Sequence, residues 1–221
     1  MTDPKHLIYQ KLIDEMGPYG ARLVAVSKTR TTQEIKELIE MGQKDFGENY
    51  VQELLIKQEA MPSGPLWHFI GHLQSNKVKV LLPFIHLIHG VGTMSVLKEI
   101  NKRSIELQRK TDILLQVHIA KEETKTGFAA DELLALVEDL IKEPLPGIRF
   151  KGLMGMATFT EDRILIRDEF RQLKSLFDQI ARTGLDSFDT LSMGMSSDYK
   201  IALDEGSNMV RIGSKIFGPR N

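Results

Sequence analysis

Apolar positions along this chain alternate between two periods. Short runs of strand length alternate with longer segments whose apolar residues recur every three or four positions. After a helix expected over His6 to Met16, "RLVAVS" (Arg22 to Ser27) reads as a buried strand. "TTQE" then places Thr31 and Glu34 as a capping box ahead of a stripe of Ile35, Leu38 and Ile39. A short strand over Lys44 to Glu48 precedes a helix carrying Val51, Leu54 and Leu55. The third strand spans Leu66 to Gly71 and leads to a helix near Asn76 to Leu82. The fourth spans Ile85 to Gly92 and the fifth Asp112 to Ala120, with a helix over about Ser95 to Gln108 between them. Leu133, Leu136, Val137, Leu140 and Ile141 then share one helical face.

The sixth strand covers Ile148 to Ala157, and Ile166, Phe170, Leu173, Phe177 and Ile180 stripe a long helix after it. "DTLSMG" and "NMVRIG" complete a set of eight. Repeated strand–helix units imply a parallel sheet. An open, doubly wound sheet shares this alternation, but eight units within 221 residues favour a closed (β/α)8 TIM barrel, a single domain over residues 1–221.

The last two junctions stand out. "LSMGMSSDYK" (Leu191 to Lys200) and "MVRIGSKIFG" (Met209 to Gly218) each break from an apolar run into glycine and serine where a helix can begin. Backbone N–H groups, hydroxyls and helix N-termini collect there, an arrangement suited to a phosphate dianion. In eight-stranded barrels the phosphate site commonly follows strands seven and eight.

Composition narrows the function classes. With 29 basic and 30 acidic residues the formal net charge is −1, so no global field recommends a nucleic acid or an anionic membrane as partner. Cysteine is absent, which excludes disulfides, thiolate chemistry and Cys-ligated metals. The polar N-terminus has no secretory leader pattern, and no apolar run approaches the ~20 residues of a membrane span. A soluble, cytoplasmic protein is the expectation.

Lys28 follows the first strand directly, on the barrel rim that mounts catalytic groups. Position alone leaves two readings: a solvated loop lysine, or a partly desolvated amine whose pKa is pulled below ~10.4 and which bonds an aldehyde-bearing phosphate. Arg211 and Gly213 face one way in a strand of period two. An inward guanidinium needs an acceptor, either a structural carboxylate or a ring nitrogen of a bound heterocycle. Asn49, Gln74 and Asn76 contact a ligand or cap the helices that follow them. His68 and His72 straddle a strand–loop boundary with no carboxylate in ligand spacing, so no metal site is expected from them. "HIAKEETKTGF" (His118 to Phe128) reads as a mobile rim loop, and Met154 and Met156 as adaptable packing near the mouth. P-loop, dinucleotide and nucleophile-elbow patterns are missing.

"VAVSK", "FGENYVQE", "HFIGHLQSNK", "TKTGF", "GLMGMA", "LSMGMSSD" and "VRIGSKIFG", spread over residues 22 to 219, together resemble the pyridoxal-phosphate homeostasis protein family. Its members are single-domain barrels that bind pyridoxal 5'-phosphate (PLP) and are similar to the N-terminal domain of alanine racemases, fold type III of the PLP proteins. The resemblance implies that Lys28 holds PLP as a covalent imine. It implies Ser196, Gly213 and Ser214 at the phosphate, Asn49 beside the cofactor and Arg211 facing the pyridine nitrogen. Ser214 stands where threonine is also common, and "GLMGMATF" replaces a more usual Thr- or Pro-containing variant.

An arginine at the ring nitrogen donates a hydrogen bond without protonating the ring fully, which makes the ring a weak electron sink. Racemases supply a second base from a C-terminal domain across a dimer interface, and a barrel over residues 22 to 219 leaves no room for one. The leading expectation is a PLP-binding protein of PLP homeostasis, buffering or delivering PLP without robust turnover. Its expected partners are apo PLP-dependent enzymes, and its expected state is a monomer. A small fold type III amino-acid racemase is the alternative. A sugar- or triose-phosphate enzyme with a Lys28 Schiff base is a third reading.

Overall fold

The computed structural model describes residues 4–122, 124–185 and 187–218. A leading helix α1 (Pro4–Met16) precedes eight strand–helix units: β1 (Arg22–Val26) and α2 (Thr32–Glu40), β2 (Asp45–Glu48) and α3 (Val51–Ala60), β3 (Leu66–Phe69) and α4 (Val78–Leu81), β4 (Leu87–Val91) and α5 (Met94–Glu106). The second half runs through β5 (Thr111–Val117) and α6 (Ala130–Lys142), β6 (Ile148–Gly155) and α7 (Arg163–Ala181), β7 (Thr190–Ser192) and α8 (Tyr199–Asp204), then β8 (Met209–Ile212) and α9 (Ser214–Phe217). Every strand pairs in parallel with its neighbours, and β8 closes onto β1. The closed barrel read from the sequence is the fold. Among the described residues no helix is long and apolar enough to cross a membrane.

Most sequence-level elements recur with trimmed ends. The capping box of α2 forms, with the Thr31 hydroxyl accepting from the Glu34 N–H and the Glu34 carboxylate accepting from the Thr31 N–H. The helix expected over Asn76 to Leu82 is instead a 3₁₀ turn, Ser75–Lys77, and the single turn of α4. β5 stops at Val117 and β6 at Gly155, short of the expected Ala120 and Ala157.

Two apolar layers hold the barrel. The larger lies between sheet and helices and includes Phe46, Trp67, Phe69, Leu153, Phe170 and Ile212, all at 1% exposure or less. The smaller fills the barrel interior with Val24, Leu87, Leu114, Met154 and Met209. Burying each such side chain contributes ~1.5–3 kcal/mol.

One irregularity decides which β6 side chains enter the barrel. Ile113 pairs with Phe150 but Leu114 pairs with Gly152, so Lys151 is an extra residue. Gly152 adopts φ +148, and a Cβ there would lie 1.8 Å from the Thr190 carbonyl oxygen. This β-bulge reverses the side-chain parity of β6. Phe150 packs outward, whereas Met154, four residues on, points inward.

Candidate functional site

The six residues singled out in the sequence converge. Lys28, Asn49, Ser196, Arg211, Gly213 and Ser214 all line one cavity of about 430 Å³ at the C-terminal mouth of the barrel. Ile70, Met156 and Phe159 supply apolar wall, the last with 88% of its surface exposed at the rim. Lys28 is half-buried in the turn after β1. The next residue, Thr29, is left-handed at φ +63, an uncommon conformation for a β-branched residue that costs on the order of 1–3 kcal/mol. The Glu53 carboxylate accepts the Thr29 N–H at 2.6 Å and secures that turn.

Beneath the turn lies a buried ionic cluster absent from the sequence reading. The Ser27 hydroxyl donates to Glu48 Oε1 at 2.6 Å. Lys57 Nζ donates to the Ser27 carbonyl, to Glu48 Oε1 and to Glu53 Oε1, each at 2.7 Å. Glu48 and Ser27 are fully buried, and burial pushes the Glu48 carboxyl up although Lys57 and Ser27 hold it down. The cluster fastens the C-terminal ends of β1 and β2 to α3, and so sets Lys28 and Asn49. A glutamate inside an apolar strand, "DFGE", was its only sequence trace.

Arg211 is buried, and burial lowers its guanidinium to about 10, so it stays a cation at neutral pH. No carboxylate bridges it among the described residues. Nη1 donates to the carbonyl of Ser192 at 2.9 Å and to its hydroxyl at 2.6 Å, and Nη2 donates to the Gly155 carbonyl at 3.1 Å. These bonds use three of its five N–H donors. The structural-carboxylate reading of Arg211 is thereby replaced by three neutral acceptors, with donors left for the cavity it lines.

From Ser192 a chain of polar contacts crosses the barrel interior. Ser192 Oγ lies 3.1 Å from His89 Nδ1, His89 Nε2 lies 2.9 Å from His68 Nδ1, and His68 Nε2 lies 2.8 Å from Asp45 Oδ1. Both imidazoles are fully buried, and desolvation lowers their pKa values, which keeps them neutral. His68 thus bonds to His89 and Asp45, while His72 is exposed. The signal available in the sequence was a histidine inside each of two apolar strands, "LWHFIG" and "LIHGVG".

At the anion end, the Ser196 hydroxyl accepts the Gly213 N–H at 3.4 Å, joining the β7 and β8 loops. The α8 and α9 helices have only six and four residues, so their macrodipoles are weaker than the expected helix N-termini suggested. Hydroxyls and loop N–H groups are the donors that remain. Asp198 closes this loop by accepting the Met195 N–H at 2.6 Å, and its carboxyl is pushed up by burial. Gln74 and Asn76 are exposed and lie outside the cavity. In the loop after β5, the Glu122 carboxylate accepts the Phe159 N–H and pairs with Lys125, which lowers Glu122 to about 2.

Two features fit an aromatic phosphate ligand. Asn49 Oδ1 is buried with no partner among the described residues, an acceptor waiting for a donor. At Gly213 a Cβ would stand 3.0 Å from the Val26 carbonyl, so the lack of a side chain keeps the cup open beside Ser214.

A closed parallel barrel with an amine, a buried guanidinium and a serine–glycine cup at its C-terminal mouth defines the class of alanine-racemase-like barrels, and the family model described as "Alanine racemase, N-terminal domain" matches residues 9–221. The chain belongs to the pyridoxal phosphate homeostasis protein family. It is 40% identical over 205 residues to the protein of that name from Aquifex aeolicus, covering 92% of this chain and 89% of that one. It is 38% identical over 213 residues to the Escherichia coli protein, covering 93% and 88%. Among solved structures, PipY of Synechococcus elongatus with PLP bound superposes with a TM-score of 0.88 at 29% identity, covering 97% of this chain and all of that one. Alanine racemase of Clostridium difficile shares the fold, with a TM-score of 0.75 at 16% identity, and this chain spans 56% of its length.

Proposed function

We propose that this protein binds PLP in the C-terminal cavity and serves intracellular PLP homeostasis, holding or delivering the cofactor without robust turnover. The convergence of Lys28, Asn49, Ser196, Arg211, Gly213 and Ser214 on one cavity carries the reading. When bound, PLP supplies an electrophilic aldehyde carbon and an electron-withdrawing ring. The Lys28 amine is the point of covalent attachment, through an imine. Ser196, Ser214 and the open backbone at Gly213 receive the phosphate, and Asn49 Oδ1 accepts from a donor on the ligand.

Arg211 orients the ring by donating to its nitrogen. A guanidinium titrating at about 10 keeps its own proton at neutral pH, so the ring nitrogen gains a hydrogen bond rather than a charge. The titratable side chains on the described cavity wall are Lys28 and Arg211. A second proton carrier opposite the amine, which amino-acid racemisation requires, is not among them, and this favours a carrier over a racemase. In the same reading the protein is a cytoplasmic monomer that passes PLP to apo PLP-dependent enzymes.

The test is the visible spectrum of the holo-protein. The absorbance near ~420 nm expected of a lysine-bound PLP is lost in Lys28→Ala and retained in a control at exposed Gln74. Unchanged absorbance in Lys28→Ala overturns the attachment. Formation of D-isomer from L-alanine or L-serine at ~1–10³ s⁻¹ overturns the carrier reading in favour of the racemase.

A further inference from the structure

The mouth opposite the PLP cavity carries its own cluster of ligating groups. Asp45 opens β2, His68 sits within β3 and His86 immediately precedes β4, so three adjacent strands bring them to the N-terminal rim. One donor atom from each lies within 4.8 Å of the other two. We propose that Asp45, His68 and His86 form a binding site for a divalent transition-metal ion such as Zn²⁺.

Two imidazoles and one carboxylate match zinc and its neighbours, not the all-oxygen shells preferred by Mg²⁺ and Ca²⁺. Bonds of ~2.0–2.2 Å place tetrahedral donors about 3.3 Å apart. Asp45 Oδ1 and His68 Nε2 are 2.8 Å apart, so Asp45, partly exposed, swings back slightly to admit the ion while the partly exposed His86 rotates toward it. Three protein ligands leave the fourth position to water or an external ligand.

The surroundings resemble those of a built site. A ligating histidine characteristically donates its second ring N–H to a fixed acceptor. His68 Nδ1 faces the buried His89 Nε2 at 2.9 Å, which aims Nε2 at Asp45 and the rim. The main chain of Asp45 is fixed by Gln43 Nε2, which donates to its carbonyl at 2.6 Å. One group opposes the ion: the positive charge of Arg22, the first residue of β1, falls on Asp45 and His68. Arg22→Ala is therefore expected to tighten binding.

Coordination has a consequence at the other end of the barrel. Without metal, one hydrogen placement satisfies every member of the chain: Arg211 donates to Ser192 Oγ, Ser192 to His89 Nδ1, His89 Nε2 to His68 Nδ1, and His68 Nε2 to Asp45. A metal on His68 Nε2 moves that proton to Nδ1, which then donates to His89 Nε2. His89 in turn carries its proton on Nδ1, facing Ser192. Both tautomers reverse and no proton is released.

The experiment titrates the chelator-washed full-length chain with Zn²⁺ by calorimetry and with Co²⁺ by visible absorption. Saturable one-to-one binding is expected, weakened at least ~10-fold by His86→Ala and by Asp45→Asn and unaffected by His72→Ala. His86 and Asp45 are partly exposed, and circular dichroism checks that both variants fold. Nitrogen-15 NMR should show His68 and His89 exchanging tautomers when Zn²⁺ is added. Absence of saturable binding, binding unchanged in His86→Ala, or binding that leaves the His89 tautomer untouched each overturns the proposal. None of these readouts depends on bound PLP.

Discussion

Lys57 Nζ donates to the main-chain carbonyl of Ser27 at 2.7 Å, one residue before Lys28 and thirty along the chain from its own position. The same ammonium holds Glu48 and Glu53, of which Glu48 is fully buried. Buried ion pairs contribute little net stability, but removing one partner strands the other charge at a cost of ~3–5 kcal/mol. Lys57→Met is accordingly expected to lose about that much in urea unfolding, and Lys57→Met with Glu48→Gln to recover most of it. Equal losses in the single and double variants would mean that Lys57 acts by packing alone.

A second support is made of missing side chains. A Cβ on Gly71 would lie 2.1 Å from the Asn49 carbonyl oxygen, and a Cβ on Gly90 would lie 2.4 Å from the Gly71 carbonyl oxygen. The ends of β2, β3 and β4 approach so closely there that the obstructing atoms are backbone and cannot rotate away. Gly71→Ala should displace Asn49 and weaken PLP binding at least ~10-fold, at an unfolding cost of roughly 1–3 kcal/mol for overpacking. Parallel titration of Gly71→Ala and Gly64→Ala separates the two effects, since a Cβ on Gly64 meets no backbone within 4 Å, although its φ of +117 carries a local cost.

The eight-strand rhythm was legible because each βα unit is a local pattern, and the convergence of six residues on one cavity was legible because short motifs carry them. Lys28, Arg211 and the Gly213–Ser214 pair each sit at a strand end, where sequence position translates directly into place on the rim. What stayed hidden depends on pairing between distant strands. The bulge at Lys151 turns Met154 and Met156 inward and brings the Gly155 carbonyl to Arg211, yet "FKGLMG" read in isolation has no marker for the reversed parity. His68 and His89 lie in separate strands, and their contact needs the β3–β4 register, in which His68 pairs with Leu87. Glu48 and Lys57 are nine residues apart and on different elements, so no helical spacing announces them.

Ser192 is the hinge between Arg211 and the histidine chain, because its hydroxyl serves both Nη1 of Arg211 and Nδ1 of His89. Ser192→Ala leaves a buried imidazole nitrogen unpaired, which costs about 1–3 kcal/mol. It should also shift the absorbance maximum of the bound cofactor, since one of three anchors of Arg211 is lost. Ser192→Thr keeps the hydroxyl and is expected to keep the spectrum. A spectrum unmoved in Ser192→Ala would show that the Ser192 and Gly155 carbonyls alone suffice to orient the guanidinium.

Asp198 makes the stability of the phosphate loop depend on pH. Burial is the largest influence on its carboxyl and raises its pKa in the folded state, against the Met195 N–H and the charge of Arg211. An acid whose folded pKa exceeds its unfolded value contributes stability below the unfolded pKa and loses it as pH rises through the folded one. The wild-type protein therefore gives up part of its unfolding free energy as pH rises from about 4 through the folded-state titration of Asp198. Asp198→Asn keeps an acceptor for the Met195 N–H and has no such titration, so its stability should fall less over the same interval. Two residues from Ser196, the ionised carboxylate also opposes a dianion in the cup. The variant is expected to bind inorganic phosphate or PLP more tightly at neutral pH, read as a lower Kd than that of the wild type. An affinity gain that does not shrink as pH falls through the titration of the wild-type carboxyl would assign the effect to loop geometry and not to charge.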